Sequence, residues 1–360
     1  MRNYSVAVIP GDGIGQDVIA AGLRVVQAAQ DARDDIRLTF ESFPWSCEYY
    51  LKHGQMMPDD GIKILENFDA IYLGAVGFPK LVPDHVSLWG LLLPIRKSFD
   101  LYVNRRPCRL LPGLQGILRD KNAADIDFEI LRENTEGAYS GVGGRVHVQS
   151  DYEVAIQTIV FTRHAVERIM RKGFELAVRD GRKKVTSVTK SNSMQHSQVF
   201  WDEVFAIVSA DFPSITAEQV HVDAMAARMV RNPETLDVVV ASNLFGDILT
   251  DLAGALQGSL GLAPSANMNP DKNVPSFFEP VHGSAPDIHG QGIANPIAAV
   301  WAASMMLDYL GEKEMGAQIL AAIEAVTAEG RVLTPDLGGT ATTDQVADAI
   351  AARLRAGVRV

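Results

Sequence analysis

Short apolar runs rich in β-branched residues alternate along this chain with longer stretches of helical character, and that alternation restricts the fold more than any other feature. The runs at 5–9, 36–43, 69–73, 128–131, 184–189 and 236–241 are bounded by polar residues, Gly or Pro, and read as strands. The segments 17–30, 163–178, 197–210, 246–258 and 296–310 read as helices. Parallel strands need a crossover long enough to hold a helix, so this order predicts an α/β fold around an open, largely parallel sheet. The segment 139–161 breaks the rhythm. It is rich in glycine, then β-rich from 154, and reads as a hairpin-like pair projecting toward a partner subunit.

The chain has 360 residues, enough for two domains. Its formal charge of −11 argues against nucleic acid as a partner, because neutralising phosphates takes clustered Lys and Arg. A local Arg cluster can still bind a small diacid, since near groups dominate short-range recognition. Two cysteines, Cys47 and Cys108, make neither a disulfide scaffold nor a zinc site. The N-terminus enters a strand almost at once, with no apolar signal core, which predicts a cytoplasmic protein. The longest apolar stretch, 293–310, is interrupted by Asn295, Pro296 and Asp308, so no membrane span is expected.

Gly11, Gly13 and Gly15 follow the first strand and open a helix, but their G-x-G-x-G spacing is not the G-x-G-x-x-G of a pyrophosphate site. A tight strand-to-helix turn near a ligand is the better reading. The strongest constellation is acidic. Asp247 and Asp251, four apart at the start of an expected helix, share one face and repel each other unless something positive intervenes. The helix N-terminus offsets part of that, and a divalent cation offsets more. Asp223, just after a strand ending near residues 221–222, supplies a third carboxylate. All-oxygen donors suit Mg²⁺ or Mn²⁺. Arg96, Arg106 and Arg132 offer planar forks that match carboxylates. Tyr139 and Lys190, at the end of a strand, are candidate proton carriers.

Taken together, Arg132-Glu-Asn-Thr-Glu-Gly, Thr189-Lys-Ser-Asn, Ser242-Asn-Leu-Phe-Gly-Asp-Ile-Leu-Thr-Asp and His282-Gly-Ser-Ala-Pro-Asp-Ile resemble the β-decarboxylating dehydrogenase family, across nearly the whole chain. That family includes isocitrate, isopropylmalate, homoisocitrate and tartrate/D-malate dehydrogenases. Trp45-Ser-Cys-Glu-Tyr-Tyr, Met56-Met-Pro-Asp-Asp, Val82-Pro-Asp-His-Val-Ser-Leu-Trp-Gly and Phe99-Asp-Leu-Tyr-Val-Asn are most similar to the tartrate/D-malate branch. The resemblance implies two α/β domains of isopropylmalate-dehydrogenase type, not a true Rossmann fold. Residues 1–101 plus 257–360 would form the cofactor-side domain, and 102–256 the second, with a dimer arm at 139–161. It implies Asp223, Asp247 and Asp251 as metal ligands for Mn²⁺ or Mg²⁺, with K⁺ as a further cation. It implies Lys190 as base and Tyr139 as acid, with Arg96, Arg106 and Arg132 holding carboxylates. Asn192, His282, Gly283, Ser284, Ala285, Asp287, Ile288 and Asn295 would bind NAD. In the family, the Lys and the first Asp come from the neighbouring subunit, so Lys190 and Asp223 are expected to act across a homodimer interface.

The implied reaction is hydride transfer from carbon 2 of a 2-hydroxy diacid to NAD, followed by loss of the β-carboxylate as CO₂. Trp89, seven residues before Arg96, together with Leu92, Leu93 and Ser87, would line the pocket and reject an isopropyl group, favouring D-malate or a tartrate. The bland alternative buries Trp89 in the domain core. Pro94, two residues before Arg96, threatens the helix that carries it. Two rival functions are a 3-isopropylmalate dehydrogenase and a catalytically silent regulatory subunit. The second is disfavoured because Lys190, Tyr139 and all three Asp are present.

Overall fold

A computed structural model describes residues 1–271 and 273–357. Along the chain run β1 (Arg2–Gly11), α1 (Ile14–Gln30), β2 (Ile36–Ser42), α2 (Cys47–His53), α3 (Gly61–Leu65), β3 (Ala70–Ala75), α4 (Asp84–Ser87), a π-helical turn (Leu88–Leu92) and α5 (Leu93–Ser98). Next come β4 (Val103–Arg109), β5 (Asp127–Glu133), the hairpin strands β6 (Gly143–Val146) and β7 (Val154–Gln157), α6 (Arg163–Arg179), β8 (Lys184–Thr189), α7 (Ser197–Ser209), β9 (Thr216–His221), α8 (Val222–Arg231) and β10 (Val238–Ala241). The chain continues through α9 (Asn243–Leu256), β11 (Pro264–Met268), β12 (Ser276–Pro280), α10 (Ile297–Leu310), α11 (Lys313–Glu329) and α12 (Thr343–Arg355). The fold is α/β with largely parallel strands. The chain divides into two compact units. One holds Met1–Leu101, Arg109–Ala124 and the residues from Gly254 onward; the other holds Tyr102–Cys108 and Asp125–Ala253.

In the first unit the strand order is β2-β1-β3-β12-β11. Strand β1 runs parallel to both β2 and β3, and β12 parallel to β3, while β11 and β12 pair antiparallel. An order of 2-1-3 is not the 3-2-1 of a Rossmann half. Helix α1 begins only at Ile14 because Gly13 sits at φ 54°, outside the helical region. It buries Ile14, Val18, Ile19, Ala21, Gly22, Val25, Val26 and Ala29, a stripe of helical period. Helix α10 is buried on every side, from Ile297 to Tyr309 with only Asp308 outside the set, and packs against α1, α11 and β12. It is therefore the central helix of this unit, which explains the long apolar stretch in the sequence. Among the described residues no helix is long and apolar enough to cross a membrane. Helix α12 opens with a full capping box, Thr342 accepting from Gln345 N while the Gln345 side chain accepts from Thr342 N.

Pro94 does not break its helix. It lies in the first turn of α5, directly after the π-helical turn, where the Leu93 N–H reaches back five residues to Leu88 O. Proline lacks an amide hydrogen, and the widened turn places it where none is needed. Trp89 is not in the core: it is 46% exposed, with Lys97 Nζ 4.8 Å above its ring. The reading that buried it is corrected. Its neighbours Leu91, Leu93 and Ile95 take the buried face instead.

In the second unit the order is β4-β5-β10-β8-β9, with β5, β10, β8 and β9 mutually parallel in register. Helix α6 starts at Thr162, whose Oγ1 accepts from Ala165 N. Glu136 takes hydrogen bonds from Thr162 N at 2.7 Å and Thr162 Oγ1 at 2.8 Å, fixing this helix end to the loop that leads to Tyr139. Strands β6 and β7 pair antiparallel, and every residue of both is exposed.

Candidate active site

The second unit gathers Arg106, Arg132, Tyr139, Asp247 and Asp251. Helix α9 begins at Asn243, three residues before the start expected from the sequence, so Asp247 lies in its second turn. The helix dipole acts mainly within the first turn, so it cannot be what steadies Asp247. Arginine does this instead. Arg132 Nη1 contacts Asp247 Oδ1, and Arg106 Nη1 lies 3.9 Å from the same oxygen. Tyr139 donates its hydroxyl hydrogen to Asp247 Oδ2 at 2.8 Å and its ring lies 5.3 Å from the Arg132 guanidinium carbon. The Asp251 carboxyl is pushed above the ordinary range by desolvation and by the charge of Asp247, with Arg106 and Arg132 opposing.

Arg132 is a buried cation, 2% exposed, and its placement is heavily determined. Its Nε donates to Asn243 Oδ1 at 2.9 Å, and Asn243 Nδ2 donates to Glu136 O at 3.1 Å. A Cβ on Gly246 would come within 2.7 Å of Arg132 Cβ and Cγ, so glycine there makes room for the arginine. Glu133 is fully buried; burial raises its pKa while the Thr135 hydroxyl and the N–H groups of Thr135 and Glu136 donate to it. Arg106 Nη1 donates to Thr250 Oγ1 at 2.5 Å. Asn243, Thr250 and Glu133 were not among the residues expected from the sequence. Asn243 had a signal, since a polar residue between an apolar strand and an apolar helix must find a partner when buried.

Lys190 and Asp223 lie apart from Asp247 and Asp251 as an ion pair of their own. Lys190 Nζ donates to Asp223 Oδ1 at 2.8 Å, and that bond holds the Asp223 carboxyl below its ordinary range. Lys190 follows β8, and the turn after it, closed by Ser193 N and Met194 N on Lys190 O, carries the exposed Asn192. Among the described residues, no three His, Cys, Asp or Glu side chains of one chain gather as a metal site. The carboxylate pair on α9 is a hard, all-oxygen donor set whose mutual repulsion a divalent cation would relieve, so these residues fit such an ion.

Arg96, Ser87, Trp89 and the segment 282–295 belong to the first unit. Arg96 is buried and donates to Glu279 Oε1 at 3.3 Å, which also accepts from Asn267 Nδ2 at 2.8 Å. The Arg96 guanidinium lies over Phe277, and its Nε has no hydrogen-bond partner among the described residues. Ser87 is buried, with its hydroxyl donating to Asp84 O within the same helical turn at 3.3 Å. In the loop after β12, His282 Nδ1 meets Gly283 O at 2.9 Å, and Nε2 is buried without a partner among the described residues. Desolvation pushes the His282 pKa down, favouring the neutral ring. Asn295 donates to Asp336 at 3.0 Å and caps Ile297 N. Gly283 and Asp287 are exposed, Ala285 and Ile288 half-buried, and Ser284 buried. A buried imidazole nitrogen awaiting a donor beside an open loop fits a nucleotide.

The family model for isocitrate/isopropylmalate dehydrogenase matches residues 5–350. The chain belongs to the isocitrate/isopropylmalate dehydrogenase family. Among its relatives is a probable tartrate dehydrogenase/decarboxylase of Bacillus subtilis, 55% identical over 355 residues, which are 99% of each chain. Another is the decarboxylating D-malate dehydrogenase of Escherichia coli, 55% identical over 97% of this chain and 98% of the relative. The crystal structure of isocitrate dehydrogenase from Methylococcus capsulatus superposes with a TM-score of 0.87 at 34% identity, covering 98% of this chain and 99% of that one.

Proposed function

We propose that this isocitrate/isopropylmalate dehydrogenase family member oxidises and decarboxylates a small 2-hydroxy diacid, using NAD and Mn²⁺ or Mg²⁺, and that D-malate and the tartrates are its substrates. One observation carries the reading: two arginines, a tyrosine hydroxyl and a carboxylate pair converge around Asp247 in the second unit. That set offers forks for carboxylates, a proton donor and oxygen ligands for a cation. The relatives named as tartrate and D-malate dehydrogenases narrow the acid.

In this reading Asp247 and Asp251, with Asp223, hold the cation, which when bound supplies Lewis-acid polarisation of the substrate oxygen. NAD held along 282–295 supplies the hydride acceptor. Arg106 and Arg132 fork onto the substrate carboxylates, and Arg96 is a further candidate for that role. Lys190, as the neutral amine, receives the carbon-2 hydroxyl proton at Nζ, beside Asp223. Tyr139 Oη delivers a proton to carbon 3 after CO₂ leaves. Asn192 orients the nicotinamide amide. Lys190 and Asp223 travel as one pair, as suits residues supplied together to the partner subunit of a homodimer. The exposed apolar residues Val146, Val154 and Ile156 of the arm and Ile248 of α9 are the surfaces that such a partner covers.

Exposed Trp89 and half-buried Leu92 are free to line a pocket for a compact acid, while the engaged hydroxyl of Ser87 is not positioned as a donor to it. The test is kcat/KM for D-malate, L-tartrate, meso-tartrate, isocitrate and 3-isopropylmalate under identical metal and NAD. D-malate or a tartrate is expected to lead. Isopropylmalate or isocitrate ahead by more than about tenfold, about 1.4 kcal/mol in transition-state binding, overturns the substrate assignment.

Asp287 favours NAD over NADP. Its carboxylate accepts no hydrogen bond among the described residues, and a negative charge beside the ribose repels a 2′-phosphate. The imidazole two residues on, His289, is turned to Asp17, with Nδ1 3.3 Å from Asp17 Oδ2. We expect kcat/KM for NAD to exceed that for NADP by about a hundredfold, about 2.7 kcal/mol. Equal efficiency with the two cofactors refutes the role given to Asp287.

A further inference from the structure

The Gly11–Gly15 turn has no part in the reaction as derived so far, and its backbone shows that it is not a phosphate cradle. Four N–H groups in and just after it are already engaged: Asp12 N on Ala75 O at 2.7 Å, Ile14 N on Ser284 O at 2.8 Å, Gly15 N on Asp12 O at 3.0 Å and Gln16 N on Gly13 O at 3.2 Å. These four donors are turned onto the protein's own carbonyls. The glycines serve close approach instead. A Cβ on Gly11 would run into Ala75 O, and one on Gly13 into Ser284 O, both from positive φ.

Asp12 lies at the centre of this turn and is 3% exposed. Its two carboxylate oxygens are shared between two loops: Oδ1 accepts from Cys47 N at 2.9 Å and Oδ2 from Gly77 N at 3.0 Å. Gly77 in turn is the anchor for Ser284, whose hydroxyl donates to Gly77 O. Ser284 is therefore gripped twice, at its carbonyl by Ile14 N and at its hydroxyl by Gly77 O. The next residue, Ala285, has φ +35° without being glycine. Such a backbone costs free energy and persists only where its surroundings over-determine it. The surroundings that do so are the Asp12–Gly77–Ser284 chain of hydrogen bonds.

We propose that Asp12 is a positioning residue for the cofactor: through Gly77 and Ser284 it presets the strained 284–288 loop in the shape that receives the adenosine half of NAD. This rests on the reading that NAD binds at 282–295. The carboxylate is needed because both oxygens accept from backbone donors. An amide keeps one acceptor and sets its own N–H against the other donor, loosening either Cys47 or Gly77.

The decisive variant is Asp12→Asn. The NADH dissociation constant, read by fluorescence titration, and KM for NAD are expected to rise at least about tenfold, while kcat at saturating NAD and KM for D-malate stay within about threefold. Ala285→Gly placed on the Asp12→Asn background is expected to recover at least about threefold in NADH affinity, because glycine adopts positive φ without strain. A residue of merely structural importance gives neither the cofactor-only effect nor the rescue. If Asp12→Asn does not fold, Ser284→Ala, which removes only the link to Gly77, is measured alone and with Ala285→Gly under the same expectations. Unchanged NADH affinity, equal changes in all constants, or no rescue overturns the proposal. Asp287→Ala separates the two levels. If it leaves NADH affinity intact, the cofactor reading itself fails. If it weakens NADH binding while Asp12→Asn does not, only the clamp fails.

Discussion

Lys190→Met is expected to lower kcat by about 10²–10⁴-fold, the scale on which a positioned acid or base contributes, and to leave the melting temperature nearly unchanged. Methionine keeps the length of the stem and removes the amine. Among the described residues Lys190 Nζ bonds only to Asp223, and the Asp223 side chain is 69% exposed. A pair so open to water contributes little to stability, since solvent screens it and two long side chains lose freedom to make it. Stability and chemistry are thus separable at this position in a way they are not at buried Arg132, where removing the guanidinium would strand Asn243 and Asp247. The measurement is steady-state kcat with D-malate, NAD and Mn²⁺, beside a thermal melt. A Lys190→Met enzyme with near wild-type kcat removes Lys190 from proton transfer, and one that melts well below wild type shows that the pair has a structural role.

The repeating elements were legible because their burial follows their composition. Strand β8 lies at the expected 184–189, where an apolar, β-branched run is closed by Lys184 and by Lys190-Ser-Asn. The expected 163–178 helix is α6, one residue longer. Strands β4, β11 and β12 were not legible, for a common physical reason: they bury polar residues. Asn104 and Arg106 in β4, Ser265 and Asn267 in β11, and Glu279 in β12 are all buried, and Arg96, Glu279 and Asn267 form one hydrogen-bonded chain. A pattern search keyed to apolar alternation cannot see a strand whose inward residues are paired ions and amides. At the site, residue types pointed to carboxylates, arginines and a tyrosine, but not to what steadies them. The π-helical turn that accommodates Pro94, the exposure of Trp89 and the Asn243 bridge depend on contacts between residues up to about a hundred positions apart. The G-x-G-x-G turn was read as a tight corner, while the use of Asp12 within it appears only when Gly77 and Ser284 are seen beside it.

Exhaustive chelation is expected to abolish turnover, Mn²⁺ or Mg²⁺ to restore it, and Asp251→Asn to remove the response. The reason is the carboxylate pair on α9. Asp247 is met by Arg132, Arg106 and Tyr139, so much of its charge is answered by the protein. Asp251 has no such hydrogen bond among the described residues: desolvation and Asp247 both disfavour its ionised form, and the two arginines oppose that only in part. A divalent cation held by the pair would turn this repulsion into binding free energy, and whatever binds the folded state alone stabilises it. At about a hundred times its dissociation constant the cation adds about 2.7 kcal/mol, so the melting temperature of the wild type should climb with Mn²⁺. In Asp251→Asn one charge of the repelling pair is gone. The metal-free variant should therefore melt no lower than the metal-free wild type, while its melting temperature stops responding to Mn²⁺ and its turnover needs at least about tenfold more cation, about 1.4 kcal/mol in binding. Stability without metal and affinity for metal thus move in opposite directions, which a general weakening of the fold cannot produce. Full activity in the chelated enzyme, or an undiminished Mn²⁺-induced rise in the melting temperature of Asp251→Asn, would show that the pair does not hold the ion.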